Sequence, residues 1–238
     1  MGRRASGLPL TGVVFGFASL AIAAGNAASL GGITAVGLMS VSQGATVSTP
    51  AVIGCDNFTG TTGGSMNGRA ATVASACSSR VWTAHVGTWT IQSNTAASSA
   101  TVDAVATENT TTADSTASVV LSNLNAGSRS GGLVISHNGT DTFLAAVMIN
   151  SAPDRIELRS YNAGTSTVLA TSTPTFTASN TLQLSRSGAA ITTTVNGVVI
   201  NTYTLTSAQQ TALGGGARAG LFGGNSSVRF DDFAVISP

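Results

Sequence analysis

Most of this chain is written in short runs whose apolar side chains fall at every second position. In Arg155-Ile156-Glu157-Leu158-Arg159-Ser160-Tyr161 the apolar positions fall every second residue, as they do in Leu182-Gln183-Leu184-Ser185-Arg186 and Ile191-Thr192-Thr193-Thr194-Val195. A period of two marks a half-buried strand, because successive side chains point to opposite faces. Residues 117–121, 131–136 and 143–149 read as further strands, with turn residues between them. Asn196-Gly197 sits between two such runs and predicts a two-residue hairpin pairing 191–195 with 198–203, since both residues accept the positive φ that tight hairpins need. Only 207–213 reads as helix, with Ser207 as its cap and Gly214-Gly215-Gly216 as its stop. Many short strands with one trivial helix predict an all-β, two-sheet antiparallel sandwich. No repeat of the propeller or solenoid kind is visible.

The last strand breaks the alternation. Val228, Phe230, Ala234 and Ile236 would share one face, with Phe233 and Val235 on the other. A bulge near Asp231-Asp232 resolves this by re-phasing the strand, so that Phe230, Phe233 and Val235 all enter the core and an aspartate turns outward.

The first fifty-five residues behave differently. Arg3 and Arg4 precede an apolar stretch over 8–24, a softer one covers 30–41, and no charge occurs between Ala5 and Cys55. A positive start, an apolar centre and small residues after it match a secretory signal peptide. The two stretches together could also form an uncleaved membrane anchor, or a buried structural segment. We therefore divide the chain into a signal or anchor at 1–41, an extended linker at 42–54 and a folded domain at 55–238.

Composition agrees with the strand reading and narrows the partners. The 238 residues carry a net charge of +1, with only 8% charged side chains. All ten basic residues are arginine, a usage that points to a high-GC bacterium or a phage of one. A near-neutral chain without a basic run argues against nucleic acid, which needs clustered cations. The two cysteines, Cys55 and Cys77, are either buried thiols or a disulfide. An export signal favours the disulfide, since exported chains meet an oxidising compartment. A bridge closing that loop would contribute roughly 3 kcal/mol and tether the glycine-rich stretch 59–76. Two cysteines without neighbouring histidines do not make a zinc site.

Three short motifs, in this order, carry a resemblance. Asp56-Asn57-Phe58 opens the domain, Gly87-Thr88-Trp89-Thr90-Ile91 follows, and Ala219-Gly220-Leu221-Phe222 with Phe230-Asp231-Asp232-Phe233-Ala234-Val235 closes it. Together they resemble the concanavalin A-like lectin/glucanase superfamily, most of all the laminin-G-like jelly rolls of bacterial secreted and surface proteins. The resemblance implies a jelly-roll fold over about 55–236 and a choice among glycan binding, a structural or adhesive surface role, and glycan cleavage.

Cleavage by the glucanase route needs two carboxyl groups flanking the glycosidic bond. The resembling glucanases place them two residues apart on one strand. Here the only glutamates are Glu108 and Glu157, and neither has an acid two positions away. Glu157 is expected to be an exposed strand residue whose flanking Arg155 and Arg159 lower its pKa, the wrong direction for a general acid. His85 and His137 have no metal-ligand spacing and no Gly-x-Ser-x-Gly elbow accompanies them. Both are expected at loops or strand ends. Calcium, common among the resembling modules, lacks a ligand motif here: Asp231 and Asp232 are adjacent, and Asp56, Asp141 and Asp154 form no loop of alternate acids. No cofactor is expected.

A non-catalytic glycan-binding module is therefore the leading expectation, with another surface protein as the alternative partner and the membrane reached only through the N-terminal segment. Sugar sites pair an aromatic platform with planar polar groups. Trp89 is assigned to the core. Trp82 and Tyr161 are the expected exposed platforms, with Asn138, Asp141, Asn150 and Asp154 supplying hydrogen bonds from two polar loops. The four Asn-x-Ser/Thr sequons, at Asn57, Asn109, Asn138 and Asn225, are the number chance provides in so Ser/Thr-rich a chain.

Overall fold

The computed structural model describes residues 50–72, 77, 80–99, 103–124 and 127–237. The expected signal or anchor at 1–41 and most of the expected linker lie outside these residues. The chain opens with β1 (Val52–Asp56), β2 (Thr83–Val86), β3 (Trp89–Gln92), β4 (Thr95–Ser98) and β5 (Ala104–Asn109). Next come β6 (Ser115–Ser122), β7 (Arg129–Ile135), β8 (Phe143–Asn150), β9 (Arg155–Asn162) and β10 (Thr165–Ser172). It ends with β11 (Ser179–Ser187), β12 (Ala190–Val195), β13 (Val198–Thr204), α1 (Ser207–Leu213), β14 (Arg218–Gly223) and β15 (Arg229–Ile236). β1 begins inside the stretch expected as linker, because its residues pair with the end of β15.

Two antiparallel sheets form the sandwich. One runs β13-β12-β11-β6-β15-β4-β3, with β1 added on β15; the other runs β10-β9-β8-β7-β14-β5-β2. The chain crosses between sheets at β1–β2, β2–β3, β4–β5, β5–β6, β6–β7, β10–β11, β13–β14 and β14–β15, which is why neighbours in a sheet are so often distant in sequence. Between the sheets lies one continuous core that includes Leu121, Leu133, Leu144, Leu158, Leu184, Leu221 and Phe230. Alternation holds in the eight-stranded sheet, where β6 and β11 bury every second residue, as the sequence pattern required. Trp89 is in the core, as expected.

The Asn196-Gly197 hairpin forms, with Val195 opposite Val198 and both turn residues at positive φ. The helix forms over the expected residues, but its cap is Thr206, not Ser207. The Thr206 side chain accepts from the Gln209 N–H while the Gln209 side chain accepts from the Thr206 N–H, a reciprocal capping box; Ser207 has Gln210 in the matching position, but that side chain donates to the Leu205 carbonyl instead. The bulge in β15 falls between Asp231 and Ala234, with Asp232 at φ 48° and exposed. Phe230, Phe233 and Val235 are all buried on the core side of it. The kink also divides the strand's pairing, since Phe230 faces β4 while 233–236 face β1.

Cys55 and Cys77 are joined by a disulfide. It pins the end of β1 to the loop leading into β2. Beside it, Asp56 is fully buried and organises the corner: its carboxylate accepts from the Phe58 N–H, the Thr72 hydroxyl and the Trp82 indole N–H, each at 2.8 Å, and pairs with Arg69. A buried carboxylate is tolerable only when saturated in this way.

Candidate ligand-binding site

The seven-stranded sheet buries side chains on both faces. Its outer face carries Val105, Val134, Phe143, Ala145, Val147, Tyr161 and Phe222, a second apolar cluster separate from the main core. The Tyr161 hydroxyl, on β9, donates to Asp103 just ahead of β5 at 2.7 Å. Those strands stand four places apart, about 19 Å in a flat sheet. A tyrosine cannot span that distance, so the sheet curls and this face is concave.

Five rings line the hollow side. His85 and His137 lie 4.2 Å apart, His137 stacks on Phe143 at 5.3 Å, and Phe143 stacks on Tyr161 at 4.4 Å with 15° between planes. Phe222 closes the series 6.0 Å from Tyr161. Some polar atoms of these rings are already engaged. His137 Nδ1 accepts from the Gly139 N–H at 2.9 Å. Burial, then the charges of His85 and Arg218, push its pKa down to about 3, so the ring is neutral at any ordinary pH. His85 is lowered too, by burial and Arg218, with Asp141 opposing. Burial and the bond to Asp103 push the Tyr161 phenol up to about 12, against Arg159.

Next to this series, Arg155 and Arg159 clamp Glu157 from both sides along β9. Arg155 Nε donates to one carboxylate oxygen at 2.7 Å and Arg159 Nε to the other at 2.8 Å. Burial raises the Glu157 pKa, but the two guanidinium hydrogen bonds outweigh it and the net shift is downward, as the sequence implied. The expected exposure of Glu157 is corrected: it is 8% exposed, because the arginine stems on its own face cover it.

The expected site residues do not all meet. Tyr161 and Asp141 share one hollow of about 230 Å³, walled also by Val86, Asp103, Val105 and Phe143. Asn138 lies on a neighbouring hollow of about 370 Å³ with His137 and Arg218. Trp82 is corrected: it is wholly buried against Phe58 and Phe233, its indole N–H bonded to Asp56, and offers no stacking face. Tyr161 is also no open platform; it is 5% exposed and contributes only to the wall of the hollow. Asn150 and Asp154 brace loops. Asn150 Nδ2 donates to the Leu124 carbonyl at 2.5 Å, and Asp154 accepts from the Phe176 N–H at 3.2 Å. Phe143, Asp103 and Arg218 were missed. Phe143 opens a strand that is apolar at every position through Ile149, so alternation gave no hint that one face lined a hollow.

Glu108 is the one carboxyl with a pKa fit for a general acid, pushed up to about 8 by burial and the Asp56 charge, against Arg80. It points into the interior. It is 0% exposed, both its oxygens lack hydrogen-bond partners, and it fills the space opposite Gly54, where an added Cβ would stand 1.9 Å from Oε1. No substrate reaches it without unfolding the corner. Among the described residues, no group of three or more His, Cys, Asp or Glu side chains is placed to hold a metal ion.

The fold is a two-sheet antiparallel jelly roll, the class that the concanavalin A-like resemblance implied. Known proteins place it no more narrowly. No family model and no curated protein matches the chain. Among solved structures it is similar to the carbohydrate-binding module CBM66 from Bacillus subtilis, at 15% identity and TM-score 0.49 over 66% of this chain and 91% of that one. It is also similar to the CBM2 module of the evolved Dit protein of Lactobacillus casei BL23 phage J-1, at 9% identity and TM-score 0.48 over 79% and 95%. A GH43 protein from Bacillus licheniformis is matched at 17% identity and TM-score 0.41, over 66% of this chain and 32% of that one. Likenesses this distant assign no residue of the site.

Proposed function

We propose that this chain is a non-catalytic module that binds a glycan at the end of its concave face. The observation that carries the proposal is the hollow where the stacked Phe143 and Tyr161 rings meet the carboxylates of Asp103 and Asp141. An aromatic ring suits the C–H face of a sugar, and carboxylate oxygens accept from paired hydroxyls. Asp141 is exposed, so one of the two acceptors needs no rearrangement to meet a ligand. A site this shallow leaves much of a sugar in water, and dissociation constants between about 1 μM and 1 mM follow. Catalysis is not part of the proposal, because Glu157 is held ionised between arginines and Glu108 is sealed in.

The second reading is a structural or adhesive surface protein without a sugar ligand. The filled concave face favours it, since Val134, Ala145 and Phe222 are each 0% exposed and leave little open groove. In either case we place the protein outside the cytoplasm, on the strength of the Cys55–Cys77 disulfide and the signal-like N-terminus. A glycan array probed with the purified chain and with Asp141→Ala tests the choice. Binding that the variant loses at unchanged melting temperature supports the glycan reading. An array with no positive spot leaves the structural role.

A further inference from the structure

Arg218 is the least satisfied of the sheet arginines among the described residues. Arg155, Arg159 and Arg186 each meet a carboxylate within ion-pair distance, while Arg129 and Arg229 donate to backbone carbonyls at 2.5 and 2.7 Å. Arg218, on the concave face of β14, meets none among the described residues; its one side-chain contact is to the Thr83 hydroxyl at 3.5 Å. It is half-buried, where a guanidinium without a counter-charge is costly. It borders the hollow of about 370 Å³ between the end of α1 and the His137 loop.

The remaining polar side chains of that hollow present donors to it. Asn109 Oδ1 accepts from the Thr111 N–H at 2.9 Å, and Asn138 Oδ1 accepts from the Thr140 N–H at 3.0 Å and from its hydroxyl at 2.7 Å. Both amides are thereby fixed in orientation, and each leaves its NH2 group without a protein acceptor. His137 uses Nδ1 as an acceptor, which puts its proton on Nε2. In the loop after α1, the Leu213 and Ala217 carbonyls are already taken, by the Gly216 and Thr110 N–H groups. No carboxylate lines the hollow. One fixed cation with NH2 and ring N–H donors around it, and no acid, is a receptor for an anion. A planar guanidinium selects a carboxylate by its two-pronged geometry.

We propose that Arg218, with Asn109, Asn138 and His137, forms a carboxylate subsite, so that the preferred ligand is an acidic glycan carrying a uronic acid or a similar sugar acid. This rests on the glycan reading above and deepens it. The Tyr161–Asp141 hollow takes a neutral residue and the Arg218 hollow takes the acid residue, both on one end of the concave face.

The test is calorimetric titration of the full chain with matched oligosaccharides, one neutral and one differing only by a uronic acid, alongside free glucuronate and acetate. The acidic oligosaccharide should bind about tenfold or more tighter, the effect of one charge-assisted pair, and the margin should shrink with added salt. Arg218→Gln should erase the margin while leaving neutral binding in place. Asn138→Asp, which keeps the turn acceptor but swaps a donor for a charge, should do the same at an exposed position where folding is not at stake. Equal affinity for the two oligosaccharides overturns the subsite and leaves the glycan reading standing. Binding of acetate as tight as of the acidic oligosaccharide also overturns it, because the site is then a general anion site. No binding of either oligosaccharide overturns both.

Discussion

Trp82 and Tyr161 look alike on paper and do opposite things. Each is an amphipathic ring near a strand end, and each ties its polar atom to an aspartate, at 2.8 Å for Trp82–Asp56 and 2.7 Å for Tyr161–Asp103. The aspartates decide the outcome. Asp56 is wholly buried and saturated by Arg69, Thr72 and the Phe58 N–H, so Trp82 is the nail of a sealed corner that the Cys55–Cys77 bridge also closes. Asp103 is exposed, so Tyr161 hangs at the lip of a hollow. The lesson is that an aromatic residue's role is set by whether its polar partner is itself solvated.

Truncation should separate the two corners most sharply. Trp82→Ala removes a full core ring and strips Asp56 of a donor, and should cost about 3–5 kcal/mol in denaturant unfolding. Glycan binding would vanish only along with the fold. Breaking the bridge with Cys55→Ser plus Cys77→Ser acts on the same corner and should cost about 3 kcal/mol, read as a lower midpoint with a steeper slope, since the unfolded chain is no longer held compact.

Glu108 gives the sealed corner a pH signature that the open one lacks. Its unfolded pKa is near 4.5 and its folded pKa is about 8, so between those values the folded protein keeps a proton that the unfolded chain has released. The contribution is fully present below pH 4.5 and is lost as pH rises through 8. The slope is at most about 1.4 kcal/mol per pH unit. Glu108→Gln should flatten that decline, and an unchanged pH–stability curve would show that Arg80 pairs with the carboxylate after all.

Tyr161→Phe should have the smallest effect on stability, about 1 kcal/mol or less, because the exposed Asp103 can turn to water. Its effect should appear instead in ligand affinity, a few-fold weaker with the ring kept and the hydroxyl gone. A large fall in melting temperature would make Tyr161 a second Trp82.

Much of the sandwich was legible because a half-buried strand writes its faces into alternate residues. β9, β11 and β12 announced themselves in that way, and Asn196-Gly197 named its own turn. The β15 bulge was legible for the converse reason, as an alternation that could not be obeyed without exposing Phe230 or Phe233. The site was far less legible. Which ring is sealed depends on Asp56 and Arg69 across the disulfide corner, and on the curl that brings β9 to Asp103, 58 residues away in sequence. Neither is encoded locally. The helix cap was misplaced by one residue because Thr206 and Ser207 are both good caps and each has a glutamine three residues on, Gln209 and Gln210, so the sequence offers two equivalent boxes. Arg218 could have been suspected only by noticing an arginine on a strand with no acid at alternate positions.

The account rests on the concave hollow being where ligand sits, and amide chemical-shift mapping tests that directly. With the tightest ligand from the array, shifts should concentrate at Asp103, Asp141, Phe143 and Tyr161, spread to Asn138 and Arg218 if the ligand is acidic, and leave Phe58 and Trp82 unmoved. Shifts confined to the Asp56 corner or to the opposite sheet, with the Tyr161 hollow silent, would contradict it.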